Sequence, residues 1–295
     1  MGIAGTITTF TYQKIMKKII SLALAALLAA SAFAQTQTIR AFSHRGGRLE
    51  RDENTAKAFQ DSWDAGYTGF ETDIRRTKDG VLYLTHDHTL ERTTNGTGIF
   101  EYKTSAEIEK LRTKQGNKIM KFDEFIEFLQ DKDNLYVEFE LKTRPDSLYS
   151  DEIVAEVAEK VYQAAKSIRT KNSVLRFTSS DLRGLRYLKN AHPEIKSKGP
   201  ESELLIIFTT GVTDEAIETC KREDIWVMGC KTDGTTRAMV NKAHKEGMIV
   251  SLWPTHKIDD FILAAYLGSD AMCTDIPFTM KPWLEKNAPW LNIIY

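Results

Sequence analysis

Short apolar runs rich in Val, Ile, Leu and Phe recur along the chain at 39–43, 69–74, 135–141, 174–178, 204–208, 225–229, 249–252 and 270–274. Between most of them the apolar residues switch to helical spacing, at 54–65, 150–166, 181–190, 214–222, 236–246 and 258–267. Asn54, Asp181 and Asp214 stand where N-caps are expected, and Gly66, Gly247 and Gly268 follow the last periodic residue of their helices. Strand and helix alternating in this way predict a parallel sheet with helical crossovers. Eight repeats predict its closure into an α/β fold of the (β/α)8 TIM type. The longest excursion, 88–134, precedes the third strand and carries weak helical patterns at 105–111 and stronger ones at 122–129.

One segment departs from the alternation. ETDIRRTKDGVLYLTHD, residues 71–87, returns on itself at Asp79-Gly80, a pair suited to a two-residue type I′ turn. With those two as the loop, Lys78 pairs with Val81 and Asp73 with His86. Side chains alternate along a strand, so Glu71, Asp73 and His86 are expected on one face. Asp73 and His86 would form a non-hydrogen-bonded pair with Cα atoms roughly 4.5 Å apart. The expected feature is a β-hairpin arm after strand two; an ordinary solvated hairpin with chance charges is the competing reading.

The chain of 295 residues opens on Lys17-Lys18, an apolar run at 19–30 and Ala32-Phe33-Ala34, which together read as a secretory signal peptide over 1–34. Met16 is the more ordinary start. The apolar run is too short for a membrane-spanning helix, so a periplasmic or secreted protein without stable membrane insertion is expected. Removing 1–34 takes away three lysines and no acid. The formal charge then moves from −1 to −4, which argues against a nucleic-acid partner. Residues 35–295 suit one barrel domain. Cys220, Cys230 and Cys273 lack any zinc-type spacing and read as buried free thiols, with one disulfide plus one free thiol as the alternative.

In such a barrel the chemistry gathers at the carboxyl ends of the strands. Strand one ends in Ser43-His44-Arg45-Gly46-Gly47. Strand two carries Glu71 and Asp73, and its arm returns His86. Strand three presents Glu138, Glu140 and Lys142 on one face; strand seven ends in Trp253, strand eight in Thr274-Asp275. Taken singly, each has a plainer reading: His44 a satisfied core histidine, Glu138 a solvated neighbour, Lys142 a surface lysine, Trp253 a rim aromatic and Asp275 a cap of the last turn. Three carboxylates on one inward patch are harder to dismiss, because burying them uncompensated costs several kcal/mol each. A hard divalent ion, Ca²⁺ or Mg²⁺, held by Glu71, Asp73 and Glu140 compensates them most simply.

These residues resemble the glycerophosphodiester phosphodiesterases. The likeness runs through HRGG (44–47), ENT (53–55), AF (58–59), GFETD (69–73), TKDG (77–80), HDHTLERTTNGTG (86–98), EFELK (138–142), the tryptophan at 253 and GSDAMCTDIP (268–277). It covers nearly the whole chain after residue 34. The resemblance implies hydrolysis of a small-molecule glycerophosphodiester to glycerol 3-phosphate and an alcohol. It also implies His44 and His86 as the acid/base pair, Glu71, Asp73 and Glu140 as metal ligands, and Arg45 and Lys142 as phosphate contacts, with Trp253 against the glycerol or headgroup. Two alternatives remain: a phospholipase C- or D-like barrel acting on lysolipids, and a non-catalytic phosphodiester-binding barrel. Two segments depart from the family pattern. The stretch after Leu111 is short and lacks the usual Pro-Thr-Leu, and Pro254-Thr255-His256 stands where Thr-Val-Asn is usual. Both border the expected mouth, so the alcohol is left open, as are the choice of ion, the base among the two histidines and the oligomeric state.

Overall fold

All eight apolar runs form strands, and their neighbours in the sheet are set by the crossovers between them. The computed structural model describes residues 38–295; the signal peptide and the Met16 start expected from sequence lie outside them. In chain order the elements are β1 (Thr38–His44), α1 (Ala56–Asp64), β2 (Gly69–Arg76), β3 (Leu82–Leu84), α2 (Ser105–Ile108), α3 (Phe122–Leu129), β4 (Tyr136–Leu141), α4 (Asp151–Lys166), β5 (Val174–Ser179) and α5 (Leu182–Ala191). There follow β6 (Leu204–Ile207), α6 (Asp214–Glu223), β7 (Val227–Lys231), α7 (Arg237–Lys245), β8 (Ile249–Thr255), α8 (Ile258–Leu267), β9 (Ala271–Thr274), α9 (Pro277–Asn287) and β10 (Asn292–Ile294). Hydrogen bonding runs β1-β9-β8-β7-β6-β5-β4-β2, and β2 pairs back to β1, which closes an eight-stranded parallel barrel. β3 hangs antiparallel on β2, and β10 extends beside the start of β1. The strands are buried on both faces because one side meets the helices and the other the barrel interior, where charged and polar residues such as Glu71, Asp73, Glu138 and Arg176 are enclosed.

Between helices and barrel lies the main core, in which Phe59, Phe125, Phe139 and Phe177 are fully buried. Their ring centroids follow one another at 4.5, 6.3 and 6.2 Å, and each such ring contributes about 1.5–3 kcal/mol by leaving water. Inside the barrel a smaller cluster of Phe42, Tyr136, Ala271 and Cys273 closes the floor. All three cysteines are free and buried.

Helix starts refine the sequence reading. Asp181 caps α5 as expected, but Thr55 rather than Asn54 caps α1, and Thr213 rather than Asp214 caps α6. In both cases a threonine hydroxyl accepts the N–H three residues on, and Asp214 serves the helix dipole from the first turn instead. Helix α9 and strand β10 are absent from the sequence reading, since neither carries a clear apolar period.

The hairpin register also needs correction. Observed pairs are Ile74 with Leu84, Arg75 with Tyr83 and Arg76 with Leu82, one residue out from the expected pairing. The loop has three residues, 78–80: Gly80 takes φ +87°, and Asp79 stays out of the left-handed region. Thr77 decides this. Its hydroxyl accepts the Val81 N–H at 3.0 Å and donates to Asp79 at 2.7 Å, while Asp79 also accepts from Ser105. A turn ending in one left-handed glycine is the three-residue alternative to type I′. Asp73 therefore lies opposite Thr85, whose N–H donates to the Asp73 carbonyl at 3.0 Å.

Candidate active site

The carboxyl ends of the strands surround a cavity of about 470 Å³. Every residue singled out for the site from sequence lines it except Asp73 and Asp275, which are fully buried beside lining residues.

His44 arrives at the end of β1. Ser43 is registered with Thr274 of β9, so the next residues, His44 and Asp275, meet where the barrel closes. Asp275 is fully buried, and His44 Nδ1 lies 2.5 Å from its Oδ1. Burial pushes the Asp275 carboxyl up, but the His44 contact and Arg48, whose Nε donates at 2.9 Å, outweigh it and hold it at about 2. An ionised carboxylate only accepts, so Nδ1 carries the proton. Nε2 is then turned toward Glu71, 3.4 Å away. Burial, with Arg45 beside it, lowers the His44 pKa from the usual histidine value, which favours the neutral ring.

His86 reaches the same cavity despite the register change, because it lies beyond β3, where strand alternation no longer applies. Arg75 grips its carbonyl with Nε at 2.9 Å and Nη2 at 2.7 Å. His86 Nδ1 sits 2.7 Å from Asp87 Oδ1. Arg92 fixes Asp87 in turn and bridges to Glu53, at 2.7 and 2.8 Å. Burial lowers the His86 pKa, with Asp73 opposing. Both histidines thus share one construction: Nδ1 tied to an aspartate, Nε2 left for the cavity.

Alternation delivers the carboxylates. Glu71 and Asp73 of β2 are registered with Glu138 and Glu140 of β4. Oxygens of Glu71, Asp73 and Glu140 lie within 4.8 Å of one another. Burial, reinforced by the Asp73 charge, drives the Glu71 carboxyl well above the usual range. Burial also pushes Asp73 up, but Arg45, His86 and Lys142 outweigh it and keep it ionised. Both Glu71 oxygens and Asp73 Oδ1 are buried without a hydrogen-bond partner in the protein. Orphaned carboxylate oxygens converging this closely are the donor set of a hard cation, so the residues present fit a divalent metal ion.

Arg45 Nε approaches Asp73 at 2.8 Å, off the direction of a hydrogen bond, and its Nη1 donates to Glu53 at 3.1 Å. Lys142 Nζ donates to Glu140 at 2.8 Å and stands 3.5 Å from Asp73. The two cations expected to meet phosphate therefore lie in the cavity wall, paired with the acidic cluster. Glu138 sits deeper, accepting the Tyr136 hydroxyl at 2.5 Å, and burial raises it to about 7.

Three residues of the site carry no role in the sequence reading. Asp275 holds His44, a contact made only by barrel closure. Asn54, in left-handed conformation at φ +57°, donates to Asp73 at 3.0 Å and accepts from Thr72; the ENT motif at 53–55 was its signal. His256 Nδ1 lies 2.5 Å from Asp275 Oδ2. It gets there through a bulge: Leu252 pairs with Met272 but Thr255 with Thr274, so one extra residue is inserted at Trp253-Pro254, where proline has no N–H to pair.

A closed barrel whose strand ends bring three carboxylates, two aspartate-held histidines and two cations to one cavity is equipped for acid/base hydrolysis of an anionic ester. The model of the glycerophosphoryl diester phosphodiesterase family matches residues 44–279, and the chain belongs to that family. A glycerophosphodiester phosphodiesterase of Caldanaerobacter subterraneus subsp. tengcongensis is 28% identical over 251 residues, covering 83% of this chain and 97% of that protein. Human glycerophosphodiester phosphodiesterase 1 is 45% identical over 73 residues, 25% of this chain and 22% of its own. Among solved structures, an Oleispira antarctica phosphodiesterase in complex with the product sn-glycerol-3-phosphate superposes with a TM-score of 0.73 at 20% identity, over 85% of this chain and 99% of that one. The fold is shared at that distance. Family membership makes the chain a phosphoric diester hydrolase acting on glycerophosphodiesters. Among the described residues, no helix is long and apolar enough to cross a membrane.

Proposed function

We propose that this barrel hydrolyses glycerophosphodiesters to glycerol 3-phosphate and an alcohol, with a divalent cation on Glu71, Asp73 and Glu140 and with His44 and His86 as the acid/base pair. One observation carries the reading: each histidine has Nδ1 fixed on an aspartate, and the two rings line the cavity that holds the three carboxylates. A phosphodiester demands three things of its site: stabilisation of charge on the nonbridging oxygens, removal of a proton from the attacking hydroxyl, and delivery of one to the departing alkoxide. Arg45 and Lys142 answer the first, and a bound cation adds Lewis-acid stabilisation of the same charge. One histidine takes the nucleophile's proton at Nε2 as the new P–O bond forms. The other gives a proton from Nε2 as the old P–O bond breaks. Asp275 and Asp87 hold the tautomers and stabilise the imidazolium, which is the product of the first transfer and the donor in the second. Export to the periplasm or medium is proposed on the leader pattern at 1–34 alone.

The test is a panel of glycerophosphodiesters and lysolipids, with glycerol 3-phosphate and free alcohol measured with and without divalent ion. Release of glycerol 3-phosphate dependent on the ion is expected. Release of phosphocholine or of intact lysophosphatidate would instead assign the chain to a phospholipase-like reaction.

A further inference from the structure

The mouth of the cavity on the β8 side differs from the wall that carries the carboxylates. His256, with about half its side chain exposed, is not held there by core packing. Its Nδ1 is committed to Asp275, which also takes Arg48. Arg48 Nη2 comes no nearer than 3.4 Å to His256 Nδ1, and that nitrogen already donates to the carboxylate. Nε2 is therefore the atom His256 offers to a ligand. Beside it, Trp253 lines the cavity with its indole N–H buried and without a protein partner. The Lys231 ammonium stands 5.6 Å from the Trp253 ring centroid, within cation–π range, so one face of that ring is already covered by a positive charge. The carboxylates of this rim are engaged: Asp275 by His44, His256 and Arg48, and Asp87 by His86 and Arg92.

We propose that Arg48, His256 and Trp253 form the subsite for the alcohol of the diester, and that it takes a neutral polyol or anionic alcohol and rejects an ammonium headgroup. The proposal rests on the phosphodiesterase reading above and adds its substrate class. A hydroxyl both donates and accepts, so it pairs with imidazole Nε2 in either protonation state and accepts from the indole N–H. A trimethylammonium group can do neither, and a primary ammonium can donate to Nε2 but cannot accept from the indole N–H. Either cation would meet the Arg48 guanidinium of the cavity lining and a Trp253 ring that already carries the Lys231 ammonium on one face; like charges placed together at a binding surface are a strong means of rejection. The insertion at Trp253-Pro254 creates this arrangement by carrying His256 onto the far oxygen of Asp275.

The experiment compares kcat/KM for glycerophosphoglycerol and glycerophosphoinositol with that for glycerophosphocholine and glycerophosphoethanolamine, reading glycerol 3-phosphate release by the wild type, His256→Asn and Arg48→Gln. The wild type is expected to prefer the polyol diesters by about tenfold or more, and each substitution to narrow that ratio several-fold. The ratio is the readout because His256 and Arg48 share Asp275 with His44, so either change also alters the rate on every substrate. Equal or better turnover of the choline diester by the wild type overturns the proposal and leaves the phosphodiesterase reading intact, as does a ratio unchanged in both variants. Release from none of the four overturns both.

Discussion

His44 Nδ1 and Asp275 Oδ1 lie 2.5 Å apart, although 231 positions separate them in the chain. The contact exists because β1 and β9 are adjacent where the barrel closes. Asp275→Asn keeps an oxygen where Arg48 Nε and His44 Nδ1 both donate, but it removes the charge that stabilises the His44 imidazolium and turns an amide N–H₂ toward His256 Nδ1. We expect kcat on a natural diester to fall by about 10²–10⁴-fold, and Tm at neutral pH to fall with the loss of the carboxylate's contribution to stability; a kcat fall below fivefold would exclude a role for the Asp275 charge in holding His44.

The same substitution has an acid signature. Asp275 has its carboxyl depressed to about 2 in the folded protein, against about 3.9 in an unfolded chain. The stability it contributes is fully present above the unfolded value and is lost as pH falls through the folded one. Unfolding free energy measured by urea titration should decline between about pH 4 and pH 2, with about 2 kcal/mol of that decline absent from Asp275→Asn.

The two histidines should separate by leaving group. Replacing either His44 or His86 by Ala is expected to lower kcat by about 10²–10⁴-fold on an alkyl diester. A p-nitrophenyl ester needs little protonation of its leaving oxygen, so it should restore turnover in the variant that lacks the acid and leave the other inactive. Rescue of both variants, or near-native rates on the alkyl diester, would contradict the assignment of two complementary roles. The wild-type pH profile should be bell-shaped, its two limbs belonging to the coupled site as a whole.

Chelation should abolish activity, and added Ca²⁺ or Mg²⁺ should restore it. Glu71→Gln, Asp73→Asn and Glu140→Gln each remove an oxygen charge from the cluster, and each should raise the half-saturating ion concentration by about tenfold or more. Isothermal titration with the ion alone provides a reading independent of turnover. Undiminished activity after exhaustive chelation would remove the metal from the mechanism.

Gly46 tests the turn that delivers Arg45. It has φ +78°, and a Cβ there would fall 2.5 Å from Ala58 Cβ and 2.8 Å from the Ala58 carbonyl carbon. Gly46→Ala therefore combines left-handed strain with overlap against the backbone of α1, and should cost about 2–5 kcal/mol in chemical denaturation. A cost below about 1 kcal/mol would mean that α1 gives way.

By itself the chain's pattern determined the eight strands, the alternation that sets Glu71, Asp73, Glu138 and Glu140 on one inward face, and the set of residues at the strand ends. These are local properties: a period of two or of 3.6 residues, a cap, a glycine after a helix. Where competing local signals met, the pattern misled. Asp79-Gly80 satisfied a two-residue turn, but the Thr77 hydroxyl and Ser105 stabilised a three-residue one, and Thr55 displaced Asn54 as a cap, freeing Asn54 for Asp73. Only the tertiary structure decided the rest. Asp275 was legible as a strand-end acid, but its partnership with His44 and His256 follows from strand closure and from a one-residue bulge in β8. The reason is physical: hydrogen-bond register along a strand is written in neighbouring residues, whereas which strand ends face one another depends on the twist and closure of the whole sheet.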